Sequence, residues 1–322
     1  MSFPTRTNIA VAVAASLLAS ACAFVVFERW RHGDSDAFEA MWQAHADSIG
    51  AMEPGGTYEL LAFPGRVRLD ELPTFSVRVS RHRTRGPDFA DLPAPGTTRI
   101  VALGDSATFG TGVAEEHRFT EVLARRLEAA RPGCCEVINA GWPGANARNV
   151  ADRLDEALTW GATVLIVNSG ANDARDPDQP FEALPVHRQL PPFNAALDRI
   201  IATAAAQDVP LVLWANHEVA TSPSSIAALG EAMEARAARA GIPFVDLEAI
   251  YAERPATVEE QRWFLANDPF TTFNELAFED GFRIEEAALQ SDWVHPNRFG
   301  HARLADALLP HVLTALGAPD VE

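Results

Sequence analysis

The chain has no lysine. All 26 of its basic residues are arginine, and they face 44 acidic residues, for a formal net charge of −18. A surface so short of positive charge repels nucleic-acid phosphates and argues against a nucleic-acid partner. Cysteine is nearly absent, with three residues in 322. That excludes a disulfide-stapled mini-protein, and no cysteine spacing matches a zinc site. Cys134 and Cys135 are neighbours, a pair that rarely bonds to itself, and they read as two small residues entering a core strand. No tract of low complexity and no internal repeat occurs. What remains is 48% hydrophobic and 22% charged residues, the balance of an ordinary globular protein. A chain of this length can bury roughly 75% of its unfolded surface.

The one long apolar run is N-terminal. Ile9 to Phe27 (IAVAVAASLLASACAFVVF) holds 19 uncharged residues between Arg6 and the pair Arg29 and Arg31. As a helix it would span roughly 28 Å, about one hydrocarbon core. Two readings stay open: an uncleaved transmembrane anchor, or a signal peptide cut near Ala19-Ser20-Ala21. The apolar run continues beyond that site, which favours the anchor. Residues 1–30 are therefore expected to be a signal anchor that makes the membrane a partner. The flanking arginines are balanced and do not orient it.

Residues 31–97 are expected to be a linker and small accessory segment. Residues 28–50 read as a helix with Phe38, Met41, Trp42 and Ile49 on one face. Residues 51–97 carry six prolines and five glycines around a half-buried strand, Phe75 to Val79. The basic run Arg81-His82-Arg83-Thr84-Arg85 reads as a solvated face. From Thr98 the pattern changes to β-rich runs (Arg99–Leu103, Cys135–Asn139, Thr163–Asn168, Leu211–Ala215, Pro243–Leu247) alternating with helical stretches (115–130, 146–159, 191–207, 222–240 and about 298–316). This alternation predicts an α/β domain over 98–318: a five-stranded parallel sheet in a three-layer α/β/α sandwich with right-handed crossovers. The stretch 251–291 breaks the rhythm and reads as an insertion.

In such a sheet, ligands bind beyond the carboxyl ends of the strands. Four segments fall there or just before the last helix: Gly104-Asp105-Ser106, Asn139 to Gly144, Gly170 to Asp173, and Asp292 to Asn297. Together they supply a hydroxyl, backbone N–H groups, a side-chain amide and an Asp/His pair, the components of acyl transfer at a serine.

At these residues the sequence resembles the SGNH/GDSL hydrolase family over about residues 98–316. The blocks are RIVALGDSATFG, VINAGWPGAN, SGAND and DWVHPNRFGH, in the family's order. The resemblance implies a flavodoxin-like fold and ester hydrolysis with no metal or organic cofactor. It implies Ser106 as nucleophile, His295 as general base and Asp292 as its orienting carboxylate. The backbone N–H groups of Ser106 and Gly144 and the side chain of Asn172 would form the oxyanion hole. Glycine at 144 is expected to let the backbone approach the oxyanion with no Cβ in the way. SVRVSRHRTRGPDF resembles the N-terminal extension of anchored or secreted members, so residues 57–90 are expected to pack beside the hydrolase domain as a small cap, with the catalytic domain periplasmic or extracellular.

Plainer readings stand beside these. Ser106 suits a helix N-cap, Gly144 and Asn172 suit turns, and His295 suits a structural role. Asp292, His295 and His301 would be an unusual metal set; His301 reads as packing at the start of the last helix, and Asp105 and Asp173 as loop stabilisers. His217 is a candidate pocket residue. Trp142, Trp293, Phe264, Phe270 and Phe273 are candidate walls for an apolar or sugar-bearing substrate. Three functions stay open: a serine esterase acting on a polysaccharide, lipid or small ester; an O-acyltransferase acting on cell-envelope glycans; and a non-catalytic binding module of the same fold.

Overall fold

The strand Thr98–Gly104 (TRIVALG) shows how the sheet is built. Its side chains alternate between two helical layers, Val101 and Leu103 packing into one core and Ile100 and Ala102 into the other. Both faces are buried, so the strand reads as an apolar run from Ile100 onward. The computed structural model describes residues 52–61, 74–174, 185–216, 225–267, 284–290 and 295–317.

The elements follow in chain order. An antiparallel hairpin, β1 (Thr57–Leu61) and β2 (Thr74–Arg78), precedes the sheet. Then come β3 (Thr98–Gly104), the short helix α1 (Ser106–Phe109), a 3-10 turn (Glu115–His117), α2 (Phe119–Ala130), β4 (Cys135–Gly141), α3 (Ala147–Thr159), β5 (Val164–Asn168), α4 (Val186–Ala206), β6 (Leu211–Ala215), α5 (Ser225–Ala240) and β7 (Phe244–Asp246). After the sheet lie α6 (Leu247–Glu253), α7 (Val258–Asn267), α8 (Ile284–Ala287) and α9 (Arg298–Ala315).

The five-stranded sheet has the order β4-β3-β5-β6-β7, all parallel. The chain leaves β3 toward β4 on one side and returns to β5 on the other. The loops therefore part between β3 and β5, where doubly wound folds bind ligands. Residues of α3, α4 and α5 build one core and residues of α2, α6 and α9 the other, which is the expected three-layer arrangement. Among the described residues no helix is long and apolar enough to cross a membrane. The Ile9–Phe27 run, the helix expected at 28–50 and residues 268–283 of the expected insertion lie outside the described residues.

Two expectations are corrected. Cys134 and Cys135 are bonded to each other, with their Cα atoms 3.7 Å apart. Cys134 ends the turn before β4, its N–H donating to Arg131 O and its O accepting from Thr98 N–H, Cys135 is the first residue of β4, and both are only partly buried. The basic run is also not one solvated face. Arg81 and Arg83 are exposed, but Arg85 is 3% exposed. Its guanidinium donates to the carbonyls of Phe109, Gly110 and Val113. Arg118, equally buried, donates to Arg85 O at 2.7 Å. Loop carbonyls with no secondary-structure partner need a donor, and the guanidinium fork supplies several from one side chain.

Candidate active site

Ser106 sits in the first turn of α1, at the end of β3. The preceding Asp105 is the N-cap, and its Oδ1 accepts from Ala107 N–H at 2.9 Å. Gly110 ends the helix in the left-handed region (φ 83°). Two glycines let this helix rest directly on the sheet. A Cβ on Gly104 would stand 2.2 Å from Thr108 Oγ1, and one on Gly141 would stand 2.3 Å from Phe109 N. Asn139, buried on β4, donates from Nδ2 to Thr108 O at 2.8 Å and accepts Gly141 N–H at 3.1 Å. Asp105 thus caps the start of α1, while Asn139 and Arg85 both hold its C-terminal end.

His295 Nε2 lies 2.7 Å from Ser106 Oγ, across 189 positions of chain, and the imidazole is 6% exposed. The loop that carries it is anchored by Asn297. Asn297 N–H donates to Leu289 O at 3.0 Å. Its Nδ2 donates to Ala288 O and Gln290 O, and its Oδ1 accepts from Phe299 and Gly300 N–H as the N-cap of α9. One asparagine thus starts the last helix and ties it to the segment before His295. Gly300 is also required here, since a Cβ would meet Leu289 O and Tyr251 Oη at 2.3 Å. Asp292 and Trp293 lie outside the described residues, as do His217, Phe270 and Phe273; Phe264 is buried core.

Residues Trp142-Pro143-Gly144-Ala145 form a turn closed by Ala145 N–H to Trp142 O at 3.0 Å. Gly144 has φ 81° and lies third in the turn, where a type II turn favours glycine after proline. A Cβ there would meet nothing within 4 Å. Within the protein, glycine at 144 is thus called for by backbone conformation, whereas at Gly141 it is called for by the close approach of Phe109. The N–H groups of Ser106 and Gly144 have no acceptor among the described residues. Asn172 donates one N–H from Nδ2 to Ala145 O at 3.0 Å, which links the β5 loop to the Gly144 turn and leaves a second N–H on the same nitrogen.

Asp173 accepts from Ala147 N–H at 3.1 and 3.0 Å and from Ser169 Oγ at 3.1 Å. Burial raises its carboxyl to about 6, against the opposing pull of these donors. His301 is fully buried beneath the site and accepts Phe119 N–H at Nδ1. Burial first, then Arg85 and Arg118, hold its pKa down to about 3, so it stays neutral. No group of three or more metal-ligating side chains occurs among the described residues.

The arrangement brings a hydroxyl onto an imidazole nitrogen, with N–H donors on the neighbouring loops. Asn139, Asn297 and Arg85 were not singled out from sequence. Asn139 and Asn297 stood inside recognised blocks, and a periodicity scan cannot separate a clamp from its neighbours. Arg85 followed a run of basic residues that masked it.

The GDSL-like lipase/acylhydrolase family model matches residues 102–303. No curated protein matches the chain. An acetyl xylan esterase of known structure superposes with a TM-score of 0.50 at 18% identity, covering 66% of this chain and 99% of its own; this is a likeness of fold. A lipase/acylhydrolase from Enterococcus faecalis superposes with a TM-score of 0.47 at 19% identity, covering 70% of this chain and 100% of its own. An alpha/beta hydrolase from the metagenome of Lake Arreo gives 0.47 at 20%, covering 70% and 97%.

Proposed function

The chain belongs to the GDSL-like lipase/acylhydrolase family, and from that premise we propose that it is a serine hydrolase of carboxylic esters. The observation that carries this reading is the 2.7 Å contact between Ser106 Oγ and His295 Nε2. Serine needs a base within hydrogen-bond reach to attack at neutral pH. In the proposed reaction His295 Nε2 takes the Oγ proton as Ser106 attacks the ester carbonyl. It then gives that proton to the departing alkoxide. Water repeats the sequence on the acyl-enzyme and releases the acid. Asp292, three residues before His295, is assigned to hold the imidazole tautomer and stabilise the imidazolium.

The negative charge that develops on the carbonyl oxygen is assigned to the N–H groups of Ser106 and Gly144 and to Asn172 Nδ2. The open N–H groups at residues 106 and 144 support this assignment. Such donors are each worth roughly 3 to 4 kcal/mol where they have been removed. Ser106→Ala is expected to abolish turnover of 4-nitrophenyl acetate and labelling by a fluorophosphonate. Full activity in that variant refutes the reading. A sugar acceptor that captures the acyl group in place of water would turn the same intermediate toward acyl transfer, and acetylated-sugar analysis distinguishes the two.

We also propose that the uncharged run Ile9–Phe27 anchors the enzyme with its catalytic domain outside the cytoplasm. An alkaline phosphatase fusion after residue 50 that remains inactive contradicts this placement.

A further inference from the structure

A cavity of about 500 Å³ opens beside the Gly144 turn, and its lining includes Arg83, Trp142, Gly144, Asn149, Arg153 and Glu156. Its charge is unusual for a chain with a net charge of −18. The guanidiniums of Arg83 and Arg153 lie 6.0 and 5.8 Å from the centre of the Trp142 ring. Among the described residues Glu156 is the sole carboxylate in the lining, with one oxygen 3.8 Å from Arg153 Nε. Arg153 is a fixed group: its side chain is 16% exposed, and Nη2 donates to the carbonyls of His82 and Arg83. Arg83 differs. Its side chain makes no hydrogen bond or ion pair with any described residue.

The backbone of Arg83 is held at φ 57°, a conformation costly for a residue with a side chain and one that clusters at functional positions. A local fold that wanted only the turn would be served better by glycine. Here the turn is held by Arg153 and by Arg83 N–H on Ser80 O at 3.0 Å, and it presents to the cavity a guanidinium with no hydrogen bond or ion pair among the described residues. A guanidinium whose N–H donors are open toward an aromatic ring and an amide is suited to a planar anion, which it binds through two parallel N–H bonds.

We propose that this cavity binds a carboxylate carried by the ester substrate, with Arg83 as the specificity-determining residue. The inference rests on the serine-hydrolase reading, because the cavity shares Gly144 with the proposed oxyanion hole. The carboxylate can lie on either side of the scissile bond. A uronic-acid sugar ester places it on the alcohol portion, and a dicarboxylic half-ester places it on the acyl portion.

The test compares kcat/KM within two pairs of esters: an O-acetylated methyl glucuronoside against the same O-acetylated methyl glucoside, and mono-4-nitrophenyl glutarate against 4-nitrophenyl valerate. The wild-type enzyme is expected to prefer the anionic member of at least one pair by about tenfold, the scale of one charge-assisted bond. Arg83→Gln is expected to remove about tenfold from that ratio. Arg83→Gly, which relieves the backbone conformation, is expected to lose the same ratio while folding at least as well. A wild-type ratio at or below one in both pairs overturns the proposal, as does a ratio that Arg83→Gln leaves unchanged.

Calorimetric binding of methyl glucuronoside and of glutarate to the Ser106→Ala variant separates this proposal from the one beneath it. Binding that is lost on adding Arg83→Gln, in a protein whose wild type turns over no ester, keeps the cavity and removes the hydrolase. Ester turnover with neither anionic preference nor anion binding keeps the hydrolase and removes the cavity.

Discussion

Asn297 reaches both ways from His295. Its Oδ1 starts α9 by accepting from Phe299 and Gly300, while its Nδ2 holds the carbonyls of Ala288 and Gln290. The imidazole is thus positioned by a neighbour two places along the chain. Asn297→Ala is expected to lower kcat by about tenfold or more, through an ill-placed base. The lost cap is expected to cost about 1 kcal/mol. Asn297→Asp keeps the acceptor for the helix but has no N–H for the clamp. It is expected to regain the cap without regaining kcat, as read by steady-state kinetics beside a denaturant titration.

The two glycines at the end of β4 and in the turn beyond it are expected to fail differently. Gly141→Ala drives a Cβ to 2.3 Å from Phe109 N and is expected to destabilise the fold by about 2 to 3 kcal/mol. Gly144→Ala meets no atom within 4 Å, but its φ of 81° costs about 1 kcal/mol for a residue with a side chain. Relaxation of that turn would swing the N–H away, so kcat is expected to fall about tenfold with little loss of Tm. Thermal melts and ester kinetics on both variants check the contrast.

Removing the Arg85 guanidinium takes its donors from the carbonyls of Phe109, Gly110 and Val113, leaving the first two only the longer contacts from Asn139 Nδ2 at 3.5 Å and Val113 N–H at 3.3 Å. Arg85→Gln is expected to destabilise the protein by about 3 kcal/mol. Arg85→Lys is expected to rescue little of it, since an ammonium lacks the planar fork that reaches Phe109, Gly110 and Val113 together. Urea midpoints of the two variants measure both effects.

Asp173 gives stability a pH dependence opposite to that of a paired carboxylate. Its folded pKa, about 6, lies above the ordinary 3.8 because of burial. The native state therefore holds this proton more tightly than the unfolded chain. The resulting stabilisation is complete below about pH 3.8 and is lost as pH rises through about 6, a change on the order of 2 kcal/mol. Asp173→Asn keeps an oxygen acceptor for Ala147 N–H without the charge. The variant is expected to gain on the wild type at about pH 7.5 and not at about pH 4, as judged by urea midpoints at each pH.

The sheet was legible because its signal is local. Leu211–Ala215 was bounded correctly from its apolar run alone, and the other four strands of the sheet to within one or two residues at each end. The α4 helix begins at Val186, ahead of the expected 191, because Pro191 and Pro192 read as a boundary; they lie in its second turn, inside the helix, where each forgoes one backbone N–H bond. The meeting of Ser106 and His295 was readable only through motifs at strand ends. No periodicity links residues 189 positions apart. What stayed hidden depends on distant partners. The burial of Arg85 is decided by carbonyls 24 to 28 residues further on, and RHRTR carries no mark that distinguishes its last arginine from its first. The left-handed backbone at Gly144 was not readable either, because a motif names the residue and not its dihedral angle.

The grip of Arg85 on the loop after Ser106 also bears on where the functional unit begins. The polypeptide before Thr98 contributes the donor for Phe109, Gly110 and Val113, while Val77 and Val79 share a buried cluster with Phe109. A fragment cut to start at the first strand of the large sheet would retain every group assigned to the chemistry. It would still lack the splint that keeps the serine-bearing turn in shape. Cleavage between Gly86 and Thr98 with loss of the upstream piece is therefore expected to abolish the proposed activity without touching the groups assigned to it.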